Sequence, residues 1–299
     1  MRRFLLLIKI FFFLTQPSEA AQNIRYFRQQ ENSQVSNTPY GLNDQAGHYV
    51  KAGDAKIYYE IYGTGKPCFI FHGGAVGSPY EMGLIIDELR KDFQVIVVST
   101  RGHGRSELGK NPLSYEQKAK DMHYVMQKVT DKPALLLGFS DGAYTAFKLA
   151  SDYPSKVERL VAIGAGTLKA GFFPNDLTLA DLRKLDPDYV KQMQKISPEP
   201  ERLQEFLSAY MAFWHKMSLG KEVLGHIQCP TLLIVGDSDD HAPVPTVVEA
   251  KQMLPNSRLC VVPKAWHTAF LDNWPVTWAC LRQFIKADQK SLSPAKNLQ

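Results

Sequence analysis

Short aliphatic runs alternate with helix-periodic stretches along most of the chain. Lys56 to Tyr62 reads as a strand closed by the turn Gly63-Thr64-Gly65. Phe69 to His72, Val95 to Ser99, Ala134 to Gly138, Leu160 to Ile163, Leu232 to Gly236 and Leu259 to Val262 have the length and apolarity of strands buried on both faces. Between them, Glu81 to Arg90, Tyr115 to Val129, Gly142 to Ser151, Pro245 to Met253 and Pro275 to Lys286 carry helical patterns. This alternation predicts an α/β architecture, a mostly parallel, doubly wound sheet. One region breaks the rhythm. The roughly 66 residues between Gly164 and Pro230 contain no strand-like run and show helix patterns broken at Pro174 and at Pro198-Glu199-Pro200. Residues 165–230 are therefore expected to form a helical lid inserted into a single domain spanning 51–287.

The ends of the chain read differently. Residues 21–50 are polar, with few aliphatics, and are expected to form an N-terminal arm; 288–299 are a polar tail. Met1-Arg2-Arg3, the run Phe4 to Leu14, apolar except for Lys9, and the small residues before Ala21 have the layout of a signal peptide at 1–20, cut after Ala20. The run is too short, at about 11 residues, to span a bilayer that needs about 20. A secreted or periplasmic protein with no stable membrane span is expected, an uncleaved anchor being the other reading.

Composition narrows the class without naming a partner. At 299 residues, 44% hydrophobic and 22% charged, the chain is globular. Its formal charge of +5 loses three basic residues and one acid with the signal, and no basic tract points to nucleic acid. Cys68, Cys229, Cys260 and Cys280 form no framework. They are either small buried hydrophobes or include one bridge, for which chain proximity favours Cys260 with Cys280.

The chemistry concentrates at strand ends. Gly138-Phe139-Ser140-Asp141-Gly142 follows an aliphatic strand and opens a helix, the setting in which a Gly-x-Ser-x-Gly turn exposes a serine hydroxyl. That hydroxyl needs a base and an orienting carboxylate. Asp239 follows the strand Leu232 to Gly236, and His267 follows the strand Leu259 to Val262, so both fall at the same sheet edge as Ser140. Asp237 belongs to the tight turn after Gly236 and reads as its cap. The backbone N–H of Asp141 and that of Gly74, in the loop after Phe69 to His72, are the expected oxyanion donors. No His or Cys cluster has metal-ligand spacing, the glycines form no dinucleotide fingerprint, and neither cofactor nor metal is called for.

These residues carry a resemblance. His72-Gly73-Gly74, Arg101-Gly102-His103-Gly104-Arg105-Ser106, the Ser140 turn, Gly236-Asp237-Ser238-Asp239 and His267 stand in the order and spacing of the α/β-hydrolase fold, over about residues 46–287. The resemblance implies a serine hydrolase acting on an ester or related acyl bond of a small molecule, with His103 structural. Other readings are aminoacyl-ester hydrolysis or an aminopeptidase-like activity, lactonase activity, and a catalytically silent receptor of the same fold. Ser140-Asp141 resembles the valacyclovir-hydrolase-like branch, which implies a substrate ammonium held by Asp141; physically, Asp141 is also a favourable charge at a helix N-terminus. Trp266 departs from the pattern, since a small or basic residue is usual before the histidine, and its bulk is expected to narrow the pocket. Phe172, Phe173, Tyr210, Phe213 and Trp214 are expected to roof the site. Nothing in the sequence sets an oligomeric state.

Overall fold

The computed structural model describes residues 24–287; the expected signal peptide at 1–20 and the tail at 288–299 lie outside the described residues. Eight strands form one sheet in the order β1-β2-β4-β3-β5-β6-β7-β8. They are β1 (Gly47–Ala52), β2 (Ala55–Tyr62), β3 (Lys66–Phe71), β4 (Phe93–Val98), β5 (Ala134–Phe139), β6 (Val157–Ile163), β7 (Thr231–Gly236) and β8 (Ser257–Val262). β1 and β2 run antiparallel at one edge, and β4 through β8 pair in parallel. The helices are α1 (Gly83–Leu89), α2 (Tyr115–Val129), α3 (Asp141–Asp152), α4 (Leu179–Leu185), α5 (Pro187–Ile196), α6 (Leu203–Trp214), α7 (Lys221–Leu224), α8 (Val244–Met253), α9 (Ala269–Asp272) and α10 (Trp274–Lys286).

Successive strand residues point to opposite faces, and the core divides accordingly. Phe69, Phe71, Ile96, Val98, Ala134 and Leu136 pack beneath α2, α3 and α8. Their neighbours Cys68, Ile70, Val95, Val97, Leu135 and Leu137 pack beneath α1, α9 and α10. Aliphatic side chains on both faces explain why these strands read as unbroken apolar runs.

The arm departs from expectation at both of its ends. Residues 47–50 begin β1, an edge strand mostly open to solvent, whose polar residues hide it from a hydrophobic pattern. Before it, Tyr40 is fully buried and its hydroxyl donates to Asp87 at 2.7 Å. The N–H groups of Gly41 and Asn43 donate to the buried Glu60 carboxylate at 2.8 and 2.7 Å, and that of Arg28 donates to Asp186 at 2.7 Å. The arm is a strap tied by backbone hydrogen bonds to β2 and to the start of α5.

Within 165–230, α4, α5 and α6 stand apart from the sheet, and Leu182, Val190, Leu203, Phe206, Leu207, Tyr210 and Met211 close a small core of their own with Ala75, Leu108 and Leu113. Sequence punctuates each helix. Thr178 and Asp181 form a reciprocal cap on α4, and Asp186 caps α5 with Pro187 in its first turn. The end of the segment is foundation rather than lid: Met217, Leu219, Val223, Leu224 and Ile227 belong to the main core. Cys260 is bridged to Cys280, with Cα atoms 6.8 Å apart, while Cys68 and Cys229 are buried and free.

The loop after β4 is fixed by a buried guanidinium. Arg101 donates to both oxygens of Asp121 at 2.8 Å, to Asp54 at 2.8 Å and to the carbonyls of Leu108 and Ala52. Arg101 and Asp121 side chains are both wholly inaccessible. Arg101→Met would strand the Asp121 carboxylate in the interior, and is expected to cost about 3–5 kcal/mol in urea unfolding. A loss within experimental error would mean that Asp121 finds another partner.

Candidate active site

The turn after β5 is built by close approach. A Cβ on Gly138 would lie 2.4 Å from the carbonyl oxygen of Gly142, and one on Gly142 would lie 2.3 Å from that of Phe71, so neither position admits a side chain. Between them Ser140 takes φ 51° and ψ −120°, a conformation that costs on the order of 1–3 kcal/mol for a residue with a Cβ. Its N–H is tied to the Ile163 carbonyl at 2.8 Å, and its carbonyl accepts from Ala143 and Tyr144 at the start of α3. The turn is thereby fixed by backbone bonds, with the hydroxyl standing at the strand-to-helix junction.

β7 and β8 deliver the other two groups to that edge. His267 Nε2 lies 2.8 Å from Ser140 Oγ, and its Nδ1 lies 3.0 Å from each oxygen of Asp239. A carboxylate only accepts, so Nδ1 carries the proton and Nε2 is left to accept the serine O–H. Asp239 also accepts from the N–H groups of His241 and Ala242 at 2.9 and 2.8 Å. Burial opposes its charge, yet the hydrogen bond and charge of His267, with those two N–H groups, hold its carboxyl below the usual range. Asp237 instead accepts from Lys264 and Ala265 N–H at 3.0 and 3.2 Å, clamping the loop that leads to His267.

Gly74 is brought against Asp141: a Cβ there would lie 2.8 Å from Asp141 Cβ and 2.6 Å from the Trp214 ring. The Asp141 N–H, at the first position of α3, has no acceptor within its own helix. A buried acid braces the opposing loop, Gly73 N–H donating to Glu81 Oε1 at 2.7 Å. Burial pushes the Glu81 carboxyl up to about 8, against the backbone hydrogen bonds that favour its charge. The native state thus holds a proton that the unfolded chain releases near pH 4.5, so this contribution to stability is complete below 4.5 and is lost as pH rises through about 8. Glu81→Gln is expected to remove that decline, on the order of a few kcal/mol, from urea titrations run between pH 5 and 8. An unchanged slope in the variant would assign the proton elsewhere.

Asp141 does not meet the expectation of an open ammonium site. Its carboxylate is buried and paired with Lys118 Nζ, and also accepts from the Tyr210 hydroxyl at 3.2 Å and the Trp214 indole at 3.4 Å. It does occupy the first turn of α3, as the charge reading expects. Lys118 carried no signal in the sequence, because one lysine in a polar helix reads as a solvated face. Trp266 also differs from expectation. It is 62% exposed and turned to solvent, so it does not narrow the site.

The aromatic roof divides. Phe173 and Trp214 are 5.6 Å apart, over the side of the site that holds Gly74 and His241, whereas Tyr210 is fully buried and Phe213 packs on Tyr115. His72 and His103 are structural. His72 accepts the Thr100 N–H at Nε2 and bonds the Gly73 carbonyl at Nδ1, and burial drives its imidazole down to about 4. Burial likewise drives His103 well below its ordinary value.

His241, two residues after Asp239, stacks its ring on that of His267 at 4.7 Å and 24°. Asp239, His241 and His267 place one ligand atom each within 4.8 Å, a grouping that chain spacing did not reveal. Imidazole lone pairs lie in the ring plane, and two nearly parallel stacked planes do not converge on one ion without a ring rotation. His241 Nδ1 is engaged by Asp240 at 2.7 Å.

A separate cavity lies between the arm and the lid, bordered by Ile24, Tyr189, His103 and Phe206; none of Ser140, Asp239 and His267 lines it. Among the described residues no helix is long and apolar enough to cross a membrane.

Comparison with known proteins bears on the fold. The family model described as alpha/beta hydrolase fold matches residues 66–211. The chain is 27% identical over 268 residues to the AB hydrolase superfamily protein YisY of Bacillus subtilis, covering 80% of this chain and 98% of that one. It is 26% identical over 252 residues to the pimeloyl-[acyl-carrier protein] methyl ester esterase of Legionella pneumophila, covering 77% and 99%. The crystal structure of a serine hydrolase involved in carbazole degradation, the CarC enzyme, superposes with a TM-score of 0.68 at 20% identity over 80% of this chain and 98% of that one, a likeness of fold.

Proposed function

The chain is an α/β-hydrolase-fold enzyme, and on that premise we propose that it is an exported serine hydrolase cleaving an ester or related acyl bond of a small molecule. The observation that carries this reading is the 2.8 Å contact of Ser140 Oγ with His267 Nε2, already in the tautomer that accepts a proton.

Ser140 Oγ attacks the carbonyl carbon as its proton passes to His267 Nε2. Asp239, held against Nδ1, keeps the ring in place and balances the charge of the imidazolium. The N–H groups of Gly74 and Asp141 meet the oxygen on which charge develops. His267 returns its proton to the leaving alcohol, and the acyl-enzyme is resolved by water activated at the same nitrogen. The relative named for a methyl ester supports an ester rather than an amide. Export is supported by the leader pattern at 1–20 and by the Cys260–Cys280 bridge, which suits an oxidising compartment.

Incubation of the exported protein with a fluorophosphonate probe and a panel of p-nitrophenyl esters tests this. Stoichiometric labelling of Ser140, turnover of short esters and a chain beginning at Ala21 are expected. Absence of both labelling and turnover would overturn the hydrolase reading, and a retained leader would overturn cleavage after Ala20.

A further inference from the structure

Lys118 occupies a setting with the chemistry of an ammonium receptor. Its Nζ donates to the Asp141 carboxylate and to the Tyr210 hydroxyl. It lies 4.3 Å from the centroid of the Tyr210 ring, 5.5 Å from that of Phe213 and 5.9 Å from that of Tyr115. Aromatic faces around a carboxylate are what recognises an organic cation when water is excluded, and both Lys118 and Asp141 side chains are only 1% exposed. Asp141 directly follows the nucleophile, so this receptor adjoins the position of a substrate carbonyl on Ser140.

We propose that Lys118 is a built-in occupant of an ammonium site beside the nucleophile, and that it makes the wild-type enzyme discriminate against esters bearing a charged amino group next to the scissile carbonyl. The inference rests on the serine hydrolase reading. The carboxylate that would pair with such an amino group already accepts from Lys118, Tyr210 and Trp214. An incoming ammonium finds both oxygens of Asp141 already engaged and its charge already paired, and it meets a like charge on Lys118. Lys118 is thus a specificity-determining residue that touches no reacting atom, and it ties α2, α3 and the lid helix α6 together at one point.

The test removes the occupant and supplies it from solution. Lys118→Ala deletes the side chain beyond Cβ, a fragment that n-propylammonium replaces. In this variant, n-propylammonium chloride is expected to raise Tm by about 3 °C or more, where propanol at equal concentration does not. The wild type should respond to neither. The ratio of kcat/KM for an alanine ester over its neutral lactate counterpart is expected to rise at least tenfold in Lys118→Ala, and to stay low in Lys118→Met, where an apolar chain fills the space. Equal stabilisation by propanol, no stabilisation by either compound, or an unchanged ester ratio would overturn the proposal. Should Lys118→Ala not fold alone, refolding from urea is the readout: recovery that requires n-propylammonium supports the proposal, and recovery that is equal or absent overturns it. The thermal readout needs no turnover. Failure of the hydrolase reading would appear separately, as wild-type protein without Ser140-dependent ester cleavage.

Discussion

Ser140→Ala is expected to abolish fluorophosphonate labelling and to lower p-nitrophenyl ester turnover by at least about 10⁴-fold, while leaving the unfolding midpoint close to that of the wild type. The two halves of this expectation have different physical origins. The hydroxyl is the atom that His267 contacts at 2.8 Å, and it is the nucleophile of the proposed mechanism. The strained turn, however, does not depend on the hydroxyl. Ser140 N–H bonds the Ile163 carbonyl, and its own carbonyl accepts from Ala143 and Tyr144, so all three bonds survive in alanine. Both residues carry a Cβ, and the cost of φ 51° is therefore common to them. Turnover retained in a folded Ser140→Ala protein would reassign the nucleophile, whereas loss of folding would show that the hydroxyl itself stabilises the turn.

The parts of this molecule that could be read from sequence are those in which one physical demand acts alone. A strand covered on both faces must be apolar throughout, which is why β3 to β7 stood out. A sharp turn with no room for Cβ at either end must have glycine there, which marked Ser140. The acid and the base followed from the carboxyl ends of β7 and β8, because parallel strands bring such ends to one edge. What escaped depends on pairing between distant residues. The arm is held by backbone N–H groups on Glu60 and Asp186, and backbone donors have no sequence signature. β1 is an edge strand whose exposed face is polar by necessity, so it merged with the arm. Lys118 and Asp141 are separated by 23 positions; Lys118 alone reads as a surface charge, and Asp141 alone as an ammonium partner or a helix N-terminus charge. Only the fold shows that they neutralise one another beneath Tyr210 and Trp214. That pairing changes what the residue after the nucleophile implies about substrate.

Asp239→Asn is expected to lower kcat for ester hydrolysis by about 10³–10⁴-fold in a protein that still folds but is less stable than the wild type at neutral pH, and Asp237→Asn to lower kcat by less than about tenfold. Both acids sit after β7, and hydrogen bonding separates them. Asparagine at 239 keeps an oxygen for the N–H groups of His241 and Ala242, so the loop survives. Its amide, though, can present N–H to His267 Nδ1 and drive the imidazole proton to Nε2, where the nitrogen can no longer take a proton from Ser140. Loss should therefore fall on kcat, with KM nearly unchanged. Stability carries a second mark of the same carboxylate. Its pKa is held below the usual range by His267 and the two N–H groups despite burial, so the charged form stabilises the native state at neutral pH. That contribution is present above the carboxyl's ordinary value and is lost as pH falls through the lowered one. Stabilities of the wild type and Asp239→Asn should accordingly converge toward acid in urea titrations. Asp237 accepts from the Lys264 and Ala265 N–H groups and the neighbouring Ser238 hydroxyl, and its removal loosens the approach to His267 without altering the tautomer. If Asp237→Asn were the variant with the large kcat loss, and Asp239→Asn the mild one, the orienting acid would have to be reassigned to the turn.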